Sequence, residues 1–394
     1  MSSAPVFQYS SPDPRMAPLL AQYPPTLFNT TLFQSVELAH RYVQDWTIRL
    51  LHELALSPCL DVWRSAMALA ELRRFHPRFR GALAWLLEFA AANGLIALDD
   101  GAGEHRYRLG EALYTPELAG LRSAGIRIDP ANAATLDLLD AAAAAYPKVA
   151  AGALSGEQAL SGIAQANLWL NYFNNANPPY AVNNWIAAHG AAQRLAGQSR
   201  FTLLEVGAGA ASGSEALLRV LAERGPLRAR RFTSTNRIRC CAGWANGGCA
   251  NAIPPYPCTS WRWISTSPGA ARAYPRRWIW CMRSTPCTSR DLPFSLGEAR
   301  AILLGDGWLV AGECLRPAPG HPIYVEIIFQ LLESFTNVRC DPLLRPNCGF
   351  LTPEQWRASF RHAGFQTVEI EPDLDRLRAL YPRFYSGAVC GRSS

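Results

Sequence analysis

Phe201-Thr202-Leu203-Leu204-Glu205-Val206-Gly207-Ala208-Gly209-Ala210-Ala211-Ser212-Gly213 is the stretch on which the fold turns. Its first six residues form a short apolar run, the rest a glycine-bearing loop, and Ser214 to Glu223 continue at helical spacing. Strand, glycine loop and helix in that order make the first unit of a nucleotide-binding α/β fold. Gly207 and Gly209 let the backbone approach a ligand closely, and the helix start supplies unpaired N–H groups. A lone G-x-G discriminates poorly; Glu205, one residue before the strand ends, makes this one more specific. Ser212 stands where the third glycine of G-x-G-x-x-G belongs, which counts against a dinucleotide-dependent oxidoreductase.

Two further patterns follow downstream. Ala301-Ile302-Leu303-Leu304-Gly305-Asp306-Gly307-Trp308-Leu309 reads as helix, turn and strand, with Glu313 near its end. Thr352-Pro353-Glu354 opens a helix, with Thr352 as N-cap, that runs to Ala363-Gly364-Phe365. Together with Leu203-Leu204-Glu205-Val206-Gly207-Ala208-Gly209, these resemble motif I and the late motifs of class I S-adenosylmethionine-dependent methyltransferases. The resemblance covers roughly residues 200–371, with the exception of 232–290. It implies an α/β class: a Rossmann-like domain with a mostly parallel sheet, preceded by a helical, winged-helix-like domain. It also implies S-adenosylmethionine as cofactor, held by Glu205, Gly207, Ala208, Gly209 and Gly213. The strand-end acid would engage the cofactor's amino group. Ala211 falls where the family usually has its third glycine, and Asp306 where another is usual.

Upstream, apolar residues from Leu32 to Leu56 fall at helical spacing until Pro58 stops them. Trp63–Phe75 and Pro77–Asn93 read as second and third helices, with Gly94 placed as a C-terminal cap. Leu95–Leu98, a turn at 99–103 and Tyr107–Leu109 then read as a hairpin. Helices followed by such a hairpin form a winged-helix pattern. The third helix carries Arg78 and Arg80 but no basic stripe, which favours packing or dimerisation over DNA binding. Residues 131–195 are Ala-rich and helical, interrupted at 169–185 by six asparagines among aromatics. Aromatics mixed with neutral amides suit a pocket lid, with Tyr172, Tyr180 and Asn183 as substrate-binding candidates. Asn and Pro also favour turns, so a capped helix–turn–helix is the competing reading. The expected division is a flexible 1–28, a winged-helix-like 29–125, a helical linker or lid at 126–199, and a cofactor-binding 200–394.

Composition narrows the function. The 394 residues carry a net charge of +7, but 232–290 hold 8 Arg and no Asp or Glu. Without that segment 30 basic residues face 31 acidic ones, so the basicity is local and a nucleic-acid footprint is not expected. No apolar run is long enough to span a membrane, and the proline-rich first 25 residues lack a signal-peptide pattern, so a cytoplasmic protein is expected. The same segment holds 6 of the 11 Cys and 5 of the 12 Trp. Its cysteines show no C-x-x-C pair, so no metal site is expected. Lys148 is the only lysine beside 37 arginines, which indicates GC-rich codons. Back-translated with such codons and read one frame over, Arg239–Pro254 becomes an amphipathic helix. Arg277–Ser289 becomes a buried strand ending in Asn and His. The segment therefore reads as out of frame, near 231 to near 290; a genuine Cys/Trp/Arg-rich insertion is the alternative. In the shifted reading an Asp-Glu pair falls near 234–236, where the resemblance expects a ribose-binding acid. As it stands the segment is not expected to complete a central parallel sheet.

The resemblance, the helical N-terminal half and the neutral aromatic lining point to methylation of a fairly large, uncharged natural product of polyketide type. Oxygen is favoured over carbon as acceptor. A catalytically impaired binding or regulatory protein is the alternative. His321, in a Pro/Gly-rich loop, and His189, on an Ala-rich helix, are the histidines weighed, and neither is assigned as catalytic base. The resemblance allows a homodimer through the N-terminal domain.

Overall fold

The computed structural model describes residues 14–24, 27–196, 201–206, 210–224, 229–235, 261–264, 278–283, 291–303 and 305–394. Gly207, Ala208 and Gly209 lie outside the described residues.

Helix Thr30–Glu53 starts where the Asn29 side chain accepts the Leu32 N–H at 2.8 Å. It ends at Glu53, where Ala55 takes φ 49°, before Pro58 is reached. The expected second helix is shorter than its apolar pattern. Arg64–Ser65 pairs as strand β1, and Ser65 then caps helix Ala66–Leu72. Helix Arg80–Ala92 ends at Gly94, whose φ of 70° lets Leu95 N–H reach Ala90 O and Gly94 N–H reach Ala91 O. Those two bonds satisfy carbonyls the last turn would otherwise leave open. Strands β2 (Ala97–Asp99) and β3 (Arg106–Arg108) complete an antiparallel sheet of order β1-β3-β2.

Helices Leu118–Ile128, Ala133–Ala150, Gly156–Leu160, Ile163–Tyr172 and Pro178–Arg194 follow. The interruption expected over 169–185 shrinks to the turn between the last two. Pro178 and Pro179 sit at the start of the final helix, where a missing N–H costs nothing.

The main sheet has the order β6-β5-β4-β7-β8-β10-β9. Strand β4 (Phe201–Val206) lies between β5 (Ala229–Thr235) and β7 (Trp278–Arg283), parallel to both. Strand β6 (Trp261–Ile264) extends the edge and β8 (Trp308–Cys314) continues from β7, also parallel. Strands β9 (Thr367–Glu371) and β10 (Ser386–Arg392) close the far side, with β10 antiparallel to both its neighbours. The acid-free segment was expected not to build a central parallel sheet, yet its backbone supplies all of β6 and β7 and part of β5. Pairing needs extended chain and β-prone residues rather than carboxylates, and Trp278-Ile279-Trp280-Cys281-Met282 provides them.

Helix Ser212–Glu223 begins two residues earlier than the sequence suggests and packs on helix Pro178–Arg194, which in turn lies on β8 and β10. Gly312 in β8 permits this contact: a Cβ there would lie 2.9 Å from Ala187 Cβ and 3.3 Å from Asn183 O. Helix Pro353–His362 opens with a capping box, in which Thr352 Oγ1 accepts Gln355 N–H and Gln355 Oε1 accepts Thr352 N–H.

Candidate functional site

The sheet order reverses direction at β4, between β5 and β7, and in open α/β sheets ligands sit beyond the carboxyl ends of strands at such a point. Glu205, one residue from the end of β4, is 1% exposed. Ser214, in the first turn of the following helix, donates its hydroxyl to Glu205 Oε2. Gly213 is buried beside it in the same turn. Glu205 is thus a buried carboxylate anchored by the helix that follows β4.

The asparagine-rich turn docks directly on this helix start. Ser212 Oγ donates to Phe173 O at 2.6 Å, and Asn175 Nδ2 donates to Ser212 O at 2.7 Å and Glu215 Oε2 at 2.9 Å. Asn184 Nδ2 holds Asn175 Oδ1 at 2.6 Å. Asn177 bridges the Tyr172 carbonyl and the Thr135 hydroxyl, and Asn174 Oδ1 accepts Ala176 N–H. Most of these amides therefore serve turn and docking geometry. Asn183 differs: its Oδ1 is buried and has no hydrogen-bond partner among the described residues.

Asn183 lines a cleft between the helical region and the carboxyl end of β8. Tyr172, Phe173 and Tyr180 form one wall, their ring centroids 5.1–5.4 Å apart. Tyr324, Phe350 and Tyr385 come from the C-terminal part of the chain. The cleft holds about 770 Å³ counting its open mouth. Sequence reading names Tyr172, Tyr180 and Asn183, and all three meet here. It does not name Tyr324, Tyr385 or Glu313 as binding residues. Glu313, 1% exposed at the end of β8, is the cleft's one carboxylate among the described residues. Its place at a strand's carboxyl end was the available signal.

Burial pushes the hydroxyls of Tyr172, Tyr324 and Tyr385 well above the ordinary phenol range, so all three are neutral donors at physiological pH. Behind Tyr385 lies His40 (Nδ1 to hydroxyl, 3.5 Å), itself bonded through Nε2 to Asn93 Oδ1 at 2.7 Å. Burial, helped by Arg383, lowers His40 to about 3. His321 is exposed on its loop, its Nδ1 3.3 Å from Pro319 O, and His189 is buried in a helix away from the cleft. Among the described residues no group of three or more His, Cys, Asp or Glu could hold a metal.

No protein-family model and no curated protein sequence matches the chain. Solved structures do. The chain is similar to the CurJ carbon methyltransferase (TM-score 0.77, 19% identity, 96% of this chain and 97% of that one). It is similar to the DszA carbon methyltransferase (0.70, 16%, 98% and 97%) and to the citrinin polyketide synthase CMeT domain (0.69, 15%, 91% and 89%). The chain therefore has the class I methyltransferase fold, an α/β Rossmann-like sheet with a helical N-terminal region.

Proposed function

We propose that this chain transfers the methyl group of S-adenosylmethionine to an uncharged, polyketide-like small molecule, with carbon preferred over oxygen as the acceptor atom. The observation that carries this reading is an aromatic cleft whose one carboxylate among the described residues is the buried Glu313. The names of the three structures above support carbon, where the sequence alone favours oxygen; an O-methyltransferase is also among the similar structures, at a lower TM-score of 0.50.

The residues at β4 fit the methionine end of the cofactor: Glu205 is a buried carboxylate with Ser214 fixing one oxygen, suited to an ammonium group. Gly207, Ala208, Gly209 and Gly213 are assigned to the same end. The ribose end fits less well, because β5 ends at Thr235 and no acid occurs over 232–290. When bound, the cofactor supplies an electrophilic methyl group. Glu313 takes the proton that the acceptor carbon must lose before it can receive the methyl. Asn183 and the neutral tyrosine hydroxyls hold the acceptor's carbonyl oxygens and donate to the negative charge that develops there. The apolar walls exclude water and align acceptor and methyl.

Glu313→Gln is expected to lower kcat by roughly 100-fold or more with little change in cofactor affinity. Glu205→Gln is expected to weaken cofactor binding by ~1.5–3 kcal/mol. Calorimetric titration with the cofactor, and mass-spectrometric assay of a β-ketoacyl thioester against a phenol, read these outcomes. Unimpaired turnover by Glu313→Gln would remove it as the base. Failure of the unaltered chain to bind cofactor would favour the impaired, regulatory reading.

The division into units ending near 28, 125 and 199 belongs to the same proposal, as does a cytoplasmic location without nucleic-acid partners. Val62, Met67, Leu72 and Leu98 are exposed on the winged-helix-like unit and support a homodimer through it.

A further inference from the structure

Between helices Glu333–Thr336 and Pro353–His362 the chain makes a tight excursion held by its own bonds. Asp341 and Arg345 exchange both backbone hydrogen bonds at 2.9 Å, and Asp341 Oδ1 accepts the N–H groups of Leu343 and Leu344, each at 2.9 Å. This closure brings Cys340 Sγ to 3.6 Å from Cys348 Sγ. Cys340 is exposed, while Cys348 is half-buried, with its carbonyl accepting from Gln330 Nε2 at 2.9 Å. A disulfide needs about 2.05 Å, so the two sulfurs lie about 1.5 Å beyond bonding distance. Beyond Cys348, Gly349 is pressed so closely on Arg316 and Glu326 that a Cβ would lie 2.3 Å from Arg316 Nη2. Phe350, next in the chain, lines the cleft.

We propose that Cys340 and Cys348 are a reversible dithiol–disulfide pair, a redox modification site on the turn that leads to the cleft-lining Phe350. With a low-molecular-weight disulfide as oxidant, the Cys340 thiolate attacks one of its sulfurs and releases one thiol. Cys348 Sγ then attacks Cys340 Sγ and displaces the second thiol. The protein loses two protons and two electrons, which leave in the two small thiols. Burial holds the Cys348 thiol above the ordinary thiol range, so ring closure accelerates as pH rises. The closed bond ties the residue two positions before Phe350 to the outer turn. On the proposed function, it changes acceptor turnover and leaves cofactor binding alone.

Both cysteines fall in one tryptic peptide, residues 340–357, because Arg345 precedes a proline. The native chain is incubated with oxidised glutathione at graded ratios to reduced glutathione, alkylated and digested. The expected product is that peptide lacking two hydrogens, restored by dithiothreitol and absent in Cys340→Ser and Cys348→Ser. Recovery of only glutathionylated Cys340, or of scrambled links to other cysteines, overturns the pair. Turnover is then measured on oxidised and reduced chain. A severalfold change, absent in Cys340→Ser, supports coupling to the cleft, whereas a linked peptide with unchanged turnover overturns it. An unaltered chain inactive in both states tests the methyltransferase reading alone, since linkage is read chemically.

Discussion

Ala211 holds a left-handed backbone, φ 60° and ψ 12°, where the chain turns into helix Ser212–Glu223. An alanine Cβ is strained there, which explains why the resembling family usually has glycine at this point. Ala211→Gly is expected to raise stability by ~1 kcal/mol, read as a denaturation midpoint shifted upward with an unchanged slope. Two buried histidines make a second residue-scale prediction. Burial lowers His40 to about 3 and His189 to about 4 from an ordinary 6.5. Below about 6.5 the unfolded chain binds protons that the folded chain refuses, so stability falls as pH drops towards those lowered values. Between pH 6 and 4 the loss approaches about 1.4 kcal/mol per pH unit for each histidine. Denaturation at a series of pH values checks it, and His40→Gln should flatten the slope.

At the scale of elements, Glu326 fastens the helical region to the sheet domain. Its carboxylate accepts from Arg316 Nε (3.0 Å) and Nη2 (2.9 Å), Phe350 N–H (2.8 Å), Ile323 N–H (2.9 Å) and Trp85 Nε1 (3.2 Å). Glu326 is fully buried and Arg316 is 2% exposed. Removing one partner leaves the other charged and dry, so Glu326→Ala is expected to cost about 3–5 kcal/mol in thermal or chemical unfolding. Such joints explain what the sequence could and could not disclose. Strand Phe201–Val206, its helix, the Thr352 cap and the Gly94 terminus are legible because local patterns specify them. The far wall of the cleft is not, because Tyr324 and Tyr385 reach Tyr172 only once the sheet is assembled. The asparagines read as lid residues were ambiguous for a related reason: turn chemistry and ligand chemistry use the same amides. Only burial without a partner separates Asn183 from its neighbours.

For the molecule as a whole, the acid-free stretch decides how complete the proposed cofactor site is. Its backbone takes the β6 and β7 positions, so topology does not discriminate between a genuine insertion and a shifted frame. Chemistry does: the shifted reading returns an acidic pair near the end of β5 and an Asn and His beyond β7. Sequencing the encoding DNA across codons 225–295 on both strands is expected to show compensating single-base frame changes, an insertion near one end and a deletion near the other. If the frame stands, cofactor binding is expected to be weaker by ~1–3 kcal/mol than with a ribose-binding carboxylate, and the impaired reading gains.

The bonds from Asn175 and Ser212 make the cleft wall and the helix start a single mechanical part. A ligand that orders one end therefore spares the other ligand part of that ordering. Filling either site first should tighten the second, and thermodynamic linkage requires the two enhancements to be equal. On the proposed function, the short asparagine turn is then a strut that couples the cleft to the cofactor end.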